Sequence, residues 1–174
     1  DDVLSRCSKL ISEYPYTFEF YNIKGAIYFK KGYKEVALQQ FRKNTELFPT
    51  NPYAYNNLGN SLIKNAEYEE ARFNFDKAIK LKPDYAEAYN NLGNLHKDLG
   101  EYNQAIFVYK KSLNLNPSNY LVYNNLGVVL VRKRQYREAE KFLKYSIKLN
   151  PNLEEAYKNL GILYNILGKF DKAK

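Results

Sequence analysis

Small, apolar and turn-forming residues recur along this chain in a fixed register. From Phe18 onward it divides into units of 34 residues, with Tyr at position 4, Gly at position 8, Ala at position 20 and Pro at position 32. The tyrosines are Tyr21, Tyr55, Tyr89, Tyr123 and Tyr157, and the glycines are Gly25, Gly59, Gly93, Gly127 and Gly161. The alanines (Ala37, Ala71, Ala105, Ala139, Ala173) and prolines (Pro15, Pro49, Pro83, Pro117, Pro151) keep the same step, with no insertion or deletion. Positions 4, 7, 8 and 11 share one face of a 3.6-residue helix, and positions 20, 24 and 27 share a face of a second. Gly32, Gly100 and Gly168 at position 15 mark the turn between them. Proline at 32 cannot continue the second helix and so ends it. The pattern predicts helix, turn, helix, turn in every unit.

The small residues carry a packing argument. Glycine at 8 and alanine at 20 let the two helices approach, while Tyr at 4 and the large residue at 24 fill the space around them. A lone helix pair cannot bury both faces, so successive units must share one continuous core. The first full unit departs from the rest: Lys24 stands where others have Leu, Asn44 takes the small position 27, and Tyr33 sits at 16 where later units place Tyr68, Tyr102, Tyr136 and Phe170 at 17. Less regular packing is expected there.

The motif Y-x2-L-G-x2-[Y/L/H] … A-x3-[F/Y/L] … P resembles the tetratricopeptide repeat (TPR) family, with Tyr in place of the usual Trp. The resemblance covers essentially the whole chain and implies an all-α fold, a right-handed TPR superhelix (α-solenoid). The array is expected to be single over 1–174: a second helix of a truncated repeat over 1–17, full repeats over 18–51, 52–85, 86–119 and 120–153, and a partial repeat over 154–174. Val3, Cys7 and Leu10 then take core positions 20, 24 and 27, which makes Cys7 a buried apolar residue. Both ends fall mid-repeat, so the chain reads as a segment of a longer protein. One end lacks nearly what the other provides, which suggests head-to-tail self-association.

In such repeats the first helices line a concave groove, and the resemblance implies that positions 2, 5, 6, 9, 12 and 13 face it. Position 5 holds Asn22, Asn56, Asn90, Asn124 and Lys158; position 6 holds Ile23, Asn57, Asn91, Asn125 and Asn159; position 9 holds Ala26, Asn60, Asn94, Val128 and Ile162. Ten of these fifteen residues are Asn, against eleven in the rest of the chain, so compositional bias does not explain them. Asn is a mediocre residue inside a helix. Its amide, however, pairs with both the N–H and the C=O of a peptide group. Successive first helices should stand roughly 10 Å apart, about three residues of extended chain. The expected binder is therefore an extended peptide or partner segment held by its backbone. The alternative is that these amides bond one another and merely solvate the groove.

The NLGN strings and the position-6 series look like the TPR region of protein O-GlcNAc transferases, where an asparagine ladder grips substrate backbones. The carry-over falls on Asn57, Asn91, Asn125 and Asn159, and Ile23 breaks it in the first full repeat. A second subclass holds chaperone C-terminal carboxylates in a basic clamp. Here position 5 is Asn until Lys158 and position 6 is never Arg, so that clamp is absent.

Composition narrows the picture further. Lys and Arg outnumber Asp and Glu by 27 to 19, a formal charge of +8. On the groove positions five cations face four anions, which is not the basic track that nucleic acid requires. Leu121, Val128, Val131, Ile162 and Ile166 form a late apolar cluster on the same face, readable as a side-chain pocket or as ordinary packing. One His and one Cys leave neither a catalytic constellation nor a metal set, and His96 at position 11 reads as a packed core residue. No cofactor, membrane span or enzyme activity is expected, although the segment could be a non-catalytic arm of a larger enzyme. A cytoplasmic location is the default expectation. The function expected is a protein-interaction module, with an end-to-end self-associating scaffold as the alternative.

Overall fold

The computed structural model describes residues 2–169. Ala173 and Phe170 of the last repeat lie outside them. Ten helices and no strand occur among the described residues: α1 Asp2–Glu13, α2 Phe18–Lys30, α3 Lys34–Leu47, α4 Pro52–Lys64, α5 Tyr68–Leu81, α6 Ala86–Asp98, α7 Tyr102–Leu115, α8 Tyr120–Arg132, α9 Tyr136–Leu149 and α10 Glu154–Ile166. From α2 onward each 34-residue unit supplies one short and one slightly longer helix, as the register predicts. Among the described residues no helix is long and apolar enough to cross a membrane.

The helices gather into two compact units, Asp1–Asp84 and Tyr85–Lys174. In the first, α1 packs on α2, α2 on α3, α3 on α4 and α4 on α5. In the second, consecutive helices from α6 to α10 pack in the same way. The border falls at the end of the second full repeat.

In each full repeat the two helices approach closely at position 8. A Cβ on Gly25 would stand 2.9 Å from the ring of Phe41, on Gly59 2.7 Å from Phe75, on Gly93 2.5 Å from Tyr109, and on Gly127 2.7 Å from Leu143. Each partner occupies position 24, and each is buried. Ala37, Ala71, Ala105 and Ala139 are buried on the same second helices.

Two positions join the core that the apolar pattern did not single out. Ala54, Ala88, Val122 and Ala156 at position 3 are fully buried, as are Leu95, Val129 and Leu163 at position 10. The buried arc of each first helix is therefore broader than positions 4, 7, 8 and 11. The position-4 tyrosines sit at its margin. Tyr21 is buried, but Tyr157 is exposed. Tyr21 donates to the Pro15 carbonyl at 3.0 Å and Tyr55 to the Pro49 carbonyl at 3.1 Å, so the hydroxyl ties the ring to the preceding turn.

Position 27 also does more than supply a small side chain. Ser112 Oγ donates to the Ala86 carbonyl at 2.8 Å and Ser146 Oγ to the Tyr120 carbonyl at 2.7 Å. Each bond clips a second helix to the start of its first. In the first full repeat the buried Asn44 makes the equivalent contact only at 3.5 Å, and its Oδ1 has no hydrogen-bond partner. In α1 Cys7 is buried as expected, but Val3 is exposed. Position 20 packs against the first helix of its own repeat, and among the described residues no helix precedes α1.

The turn at position 15 is left-handed in every repeat. Glycine supplies this in three, with φ of 84°, 75° and 68°, but Ala66 and Arg134 adopt 61° and 60°. A side chain there costs roughly 1–2 kcal/mol of backbone strain, partly offset by the extra freedom glycine has when unfolded. Ala66→Gly and Arg134→Gly are each expected to stabilise the protein by about 0.5–1 kcal/mol. Gly93→Ala should destabilise it by about 1–3 kcal/mol through overpacking against Tyr109. Denaturant midpoints of the three variants at constant slope check both signs.

Candidate functional site

The first helices carry the candidate site, and a helix turns 100° per residue, so neighbouring positions cannot share one surface. Asn57 on α4, Asn91 on α6, Asn125 on α8 and Asn159 on α10 are half-buried, at the boundary between core and solvent. Position 5 lies deeper. Asn56 is 0% exposed and Asn124 1%, while Asn90 is half-buried with its Oδ1 enclosed and lacking a hydrogen-bond partner. The expectation that position 5 faces the groove therefore does not hold for Asn56 and Asn124. A residue 100° round from position 6, towards the glycine face, is covered by packing. Lys158, the position-5 residue of α10, is exposed. At position 9, Asn60 and Asn94 are half-buried.

Three of the half-buried amides donate to amides one repeat earlier. In the first unit Asn57 Nδ2 donates to Asn22 Oδ1 at 2.6 Å. In the second, Asn125 Nδ2 donates to Asn94 Oδ1 and Asn159 Nδ2 to Asn124 Oδ1, both at 2.9 Å. Each bond uses one amide hydrogen. Asn57, Asn125 and Asn159 each keep a second N–H and a carbonyl oxygen.

One of these links reaches into the core. Tyr109, the ring that lies against Gly93, donates its hydroxyl to Asn94 Oδ1 at 2.7 Å, and the same oxygen accepts from Asn125. Tyr109 is fully buried, and burial pushes its hydroxyl far above the usual tyrosine range. Sequence reading missed this bond. Its only signal was Tyr in place of Phe at position 24 of one repeat.

The inner face of the first unit encloses a cavity of about 310 Å³. Phe29 and Phe41 wall it, and Asn22, Asn57, Asn60 and Lys64 line the rest. Ser61 also lines it, and its buried Oγ has no hydrogen-bond partner. His96 lies in the core of the second unit, as expected, with its Nδ1 2.5 Å from Glu101 Oε2. Among the described residues no three His, Cys, Asp or Glu side chains converge as metal ligands.

Family descriptions of the tetratricopeptide repeat match the chain at residues 18–51, 41–73, 86–119, 108–141 and 142–174, and one of the TPR repeat matches residues 59–100. The chain belongs to the tetratricopeptide repeat family. No curated protein matches the sequence. Among solved structures, YrrB, described as a TPR protein with an unusual peptide-binding site, aligns at a TM-score of 0.73 and 22% identity over 96% of this chain and 86% of its own. MamA aligns at a TM-score of 0.74 and 26% identity over 85% and 86% of the two chains. PilF of Pseudomonas aeruginosa aligns at 0.82 and 23% identity over 90% and 71%. These likenesses concern the repeat fold.

The Tyr109 hydroxyl gives a pH signature. Its folded value is raised, so the stability it contributes is intact below the unfolded tyrosine value near 10 and declines as pH rises beyond it. At pH 11 the wild type should have lost about 1.4 kcal/mol that Tyr109→Phe retains. Chemical denaturation of both proteins between pH 8 and 11 measures the difference.

Proposed function

We propose that this TPR chain is a non-catalytic protein-interaction module whose first-helix face holds an extended segment of a partner by its backbone. The observation that carries this reading is the set of inter-repeat bonds made by Asn57, Asn125 and Asn159. Each bond holds a side chain in one orientation and leaves it one donor and one acceptor. A peptide group offers the complementary pair, with no demand on its side chains. Because the rotamers are already set, binding forfeits less side-chain entropy, a cost of about 0.5–1.5 kcal/mol per residue elsewhere. Asn56 and Asn124 act from beneath as packing, Asn124 also as the acceptor for Asn159, rather than as ligand contacts. The description of YrrB as having a peptide-binding site supports the same direction for this fold.

Contacts of this kind at about 1 kcal/mol each, set against ordering of the peptide, make micromolar affinity the expectation. The test is isothermal titration of partner peptides, selected on the wild-type protein, against the Asn57/Asn91/Asn125/Asn159→Ala protein. Loss of at least about tenfold in affinity at unchanged helicity is expected. Unchanged affinity would mean that the amides only hold the repeats together.

End-to-end stacking remains a second reading, favoured by the exposed Tyr157 ring where the equivalent Tyr21 is buried. It predicts that sedimentation coefficients rise with concentration and are indifferent to the four Asn substitutions.

A further inference from the structure

We propose that the cleft between α8 and α10 in the second unit is a side-chain pocket for one bulky apolar residue of a partner segment whose neighbours in sequence are Asp or Glu. This deepens the reading of the first-helix face as a peptide-binding surface and rests on it.

The cleft encloses about 300 Å³, the small end of ligand-binding pockets. Val128 and Val131 of α8 form one wall, and Ile162 and Ile166 of α10 form the other. Ile162 is 45% exposed and Ile166 51%, so that wall faces water, while Val128 and Val131 are half-buried and Val131 also packs against the core. Asn159 stands at the edge with one amide hydrogen bonded to Asn124, leaving its carbonyl oxygen for a backbone N–H. An apolar residue can thus enter the cleft while its own peptide group meets the amide series.

The rim sets the charge. Arg132 and Arg134 both line the cleft, and neither pairs with a carboxylate among the described residues. A guanidinium holds a carboxylate through two parallel hydrogen bonds, which suits an acidic side chain beside the anchor. Arg134 is presented to the cleft from a left-handed turn. It occupies the left-handed turn at φ 60°, where three other repeats have glycine and one has alanine. Alanine takes the same left-handed turn in another repeat, so what marks Arg134 is that its side chain lines the cleft. The corresponding cavity of the first unit also has apolar walls, in Ala26, Phe29 and Phe41, but Lys64 is its single cation. The preference for acidic residues beside the anchor is therefore a property of the second unit.

The test is fluorescence anisotropy on the full chain with three labelled peptides of equal length. The first carries one Leu between Glu residues in a Gly/Ser background, the second replaces that Leu with Ala, and the third replaces the Glu residues with Gln. The first peptide is expected to bind at least about fivefold tighter than either control. Arg134→Gly should weaken the first peptide by about fivefold, leave the Gln peptide unchanged, and unfold no earlier than the wild type. Ile166→Ser should weaken both Leu peptides and spare the Ala peptide. Added salt should erode the acidic preference. The proposal is overturned if the three peptides bind alike, or if Arg134→Gly leaves the acidic preference intact. If they bind alike but lose affinity to an Asn125/Asn159→Ala protein, the peptide-binding reading stands and the pocket falls. If none binds the wild type, both fall.

Discussion

The glycine at position 8 lies against the side chain at position 24, and the distances leave no room for a Cβ. That approach sets how near the two helices of a repeat can lie, and the rest of the packing follows from it. The buried alanine at position 20 belongs to the same close contact. The serine clips of Ser112 and Ser146 reach the carbonyls at the start of their partner helices only because the pair is so tight. In the first full repeat the glycine contact is kept but the clip is stretched, because a longer Asn occupies its place.

The same approach connects the core to the outer face. Tyr109 is packed over Gly93 and cannot swing away, so its hydroxyl is held where Asn94 accepts it, and Asn94 in turn receives Asn125. The surface amide thus takes its orientation from a ring fixed by packing. Inter-repeat amide bonds serve two ends at once. They satisfy polar groups half out of water, which would otherwise cost about 1–3 kcal/mol each. They also hold the remaining donor and acceptor of each amide in a set direction. The two alternatives posed by the sequence, amides that bond one another and amides that bind a ligand, are therefore compatible.

The register of Gly, Ala, Tyr and Pro made the repeat and its helices legible before any coordinate. Gly25, Gly59, Gly93 and Gly127 could be read as close contacts because nothing else explains glycine in a helix. Other features were hidden for physical reasons. Ala54, Ala88 and Ala156 at position 3 are as common on a helix surface as in a core, so their burial left little trace. Asn56 and Asn124 are polar and read as surface, whereas an amide can be fully enclosed when repeats pack around it. Ser112 and Ser146 looked merely small. The left-handed backbone of Arg134 was invisible because arginine does not report its own φ. That residue showed its place only when the turn, the exposed isoleucines and the paired valines came together around one cleft.

The central claim is that the surface amides are ordered before any partner arrives. The most direct measurement is the NMR order parameter of the side-chain NH2 groups of Asn57, Asn125 and Asn159 in the unbound protein. The account predicts values close to those of rigid backbone, about 0.85, with Asn125 falling in Tyr109→Phe as its anchor is lost. Values below about 0.6 in the wild type would mean that the amides move freely, and would contradict it.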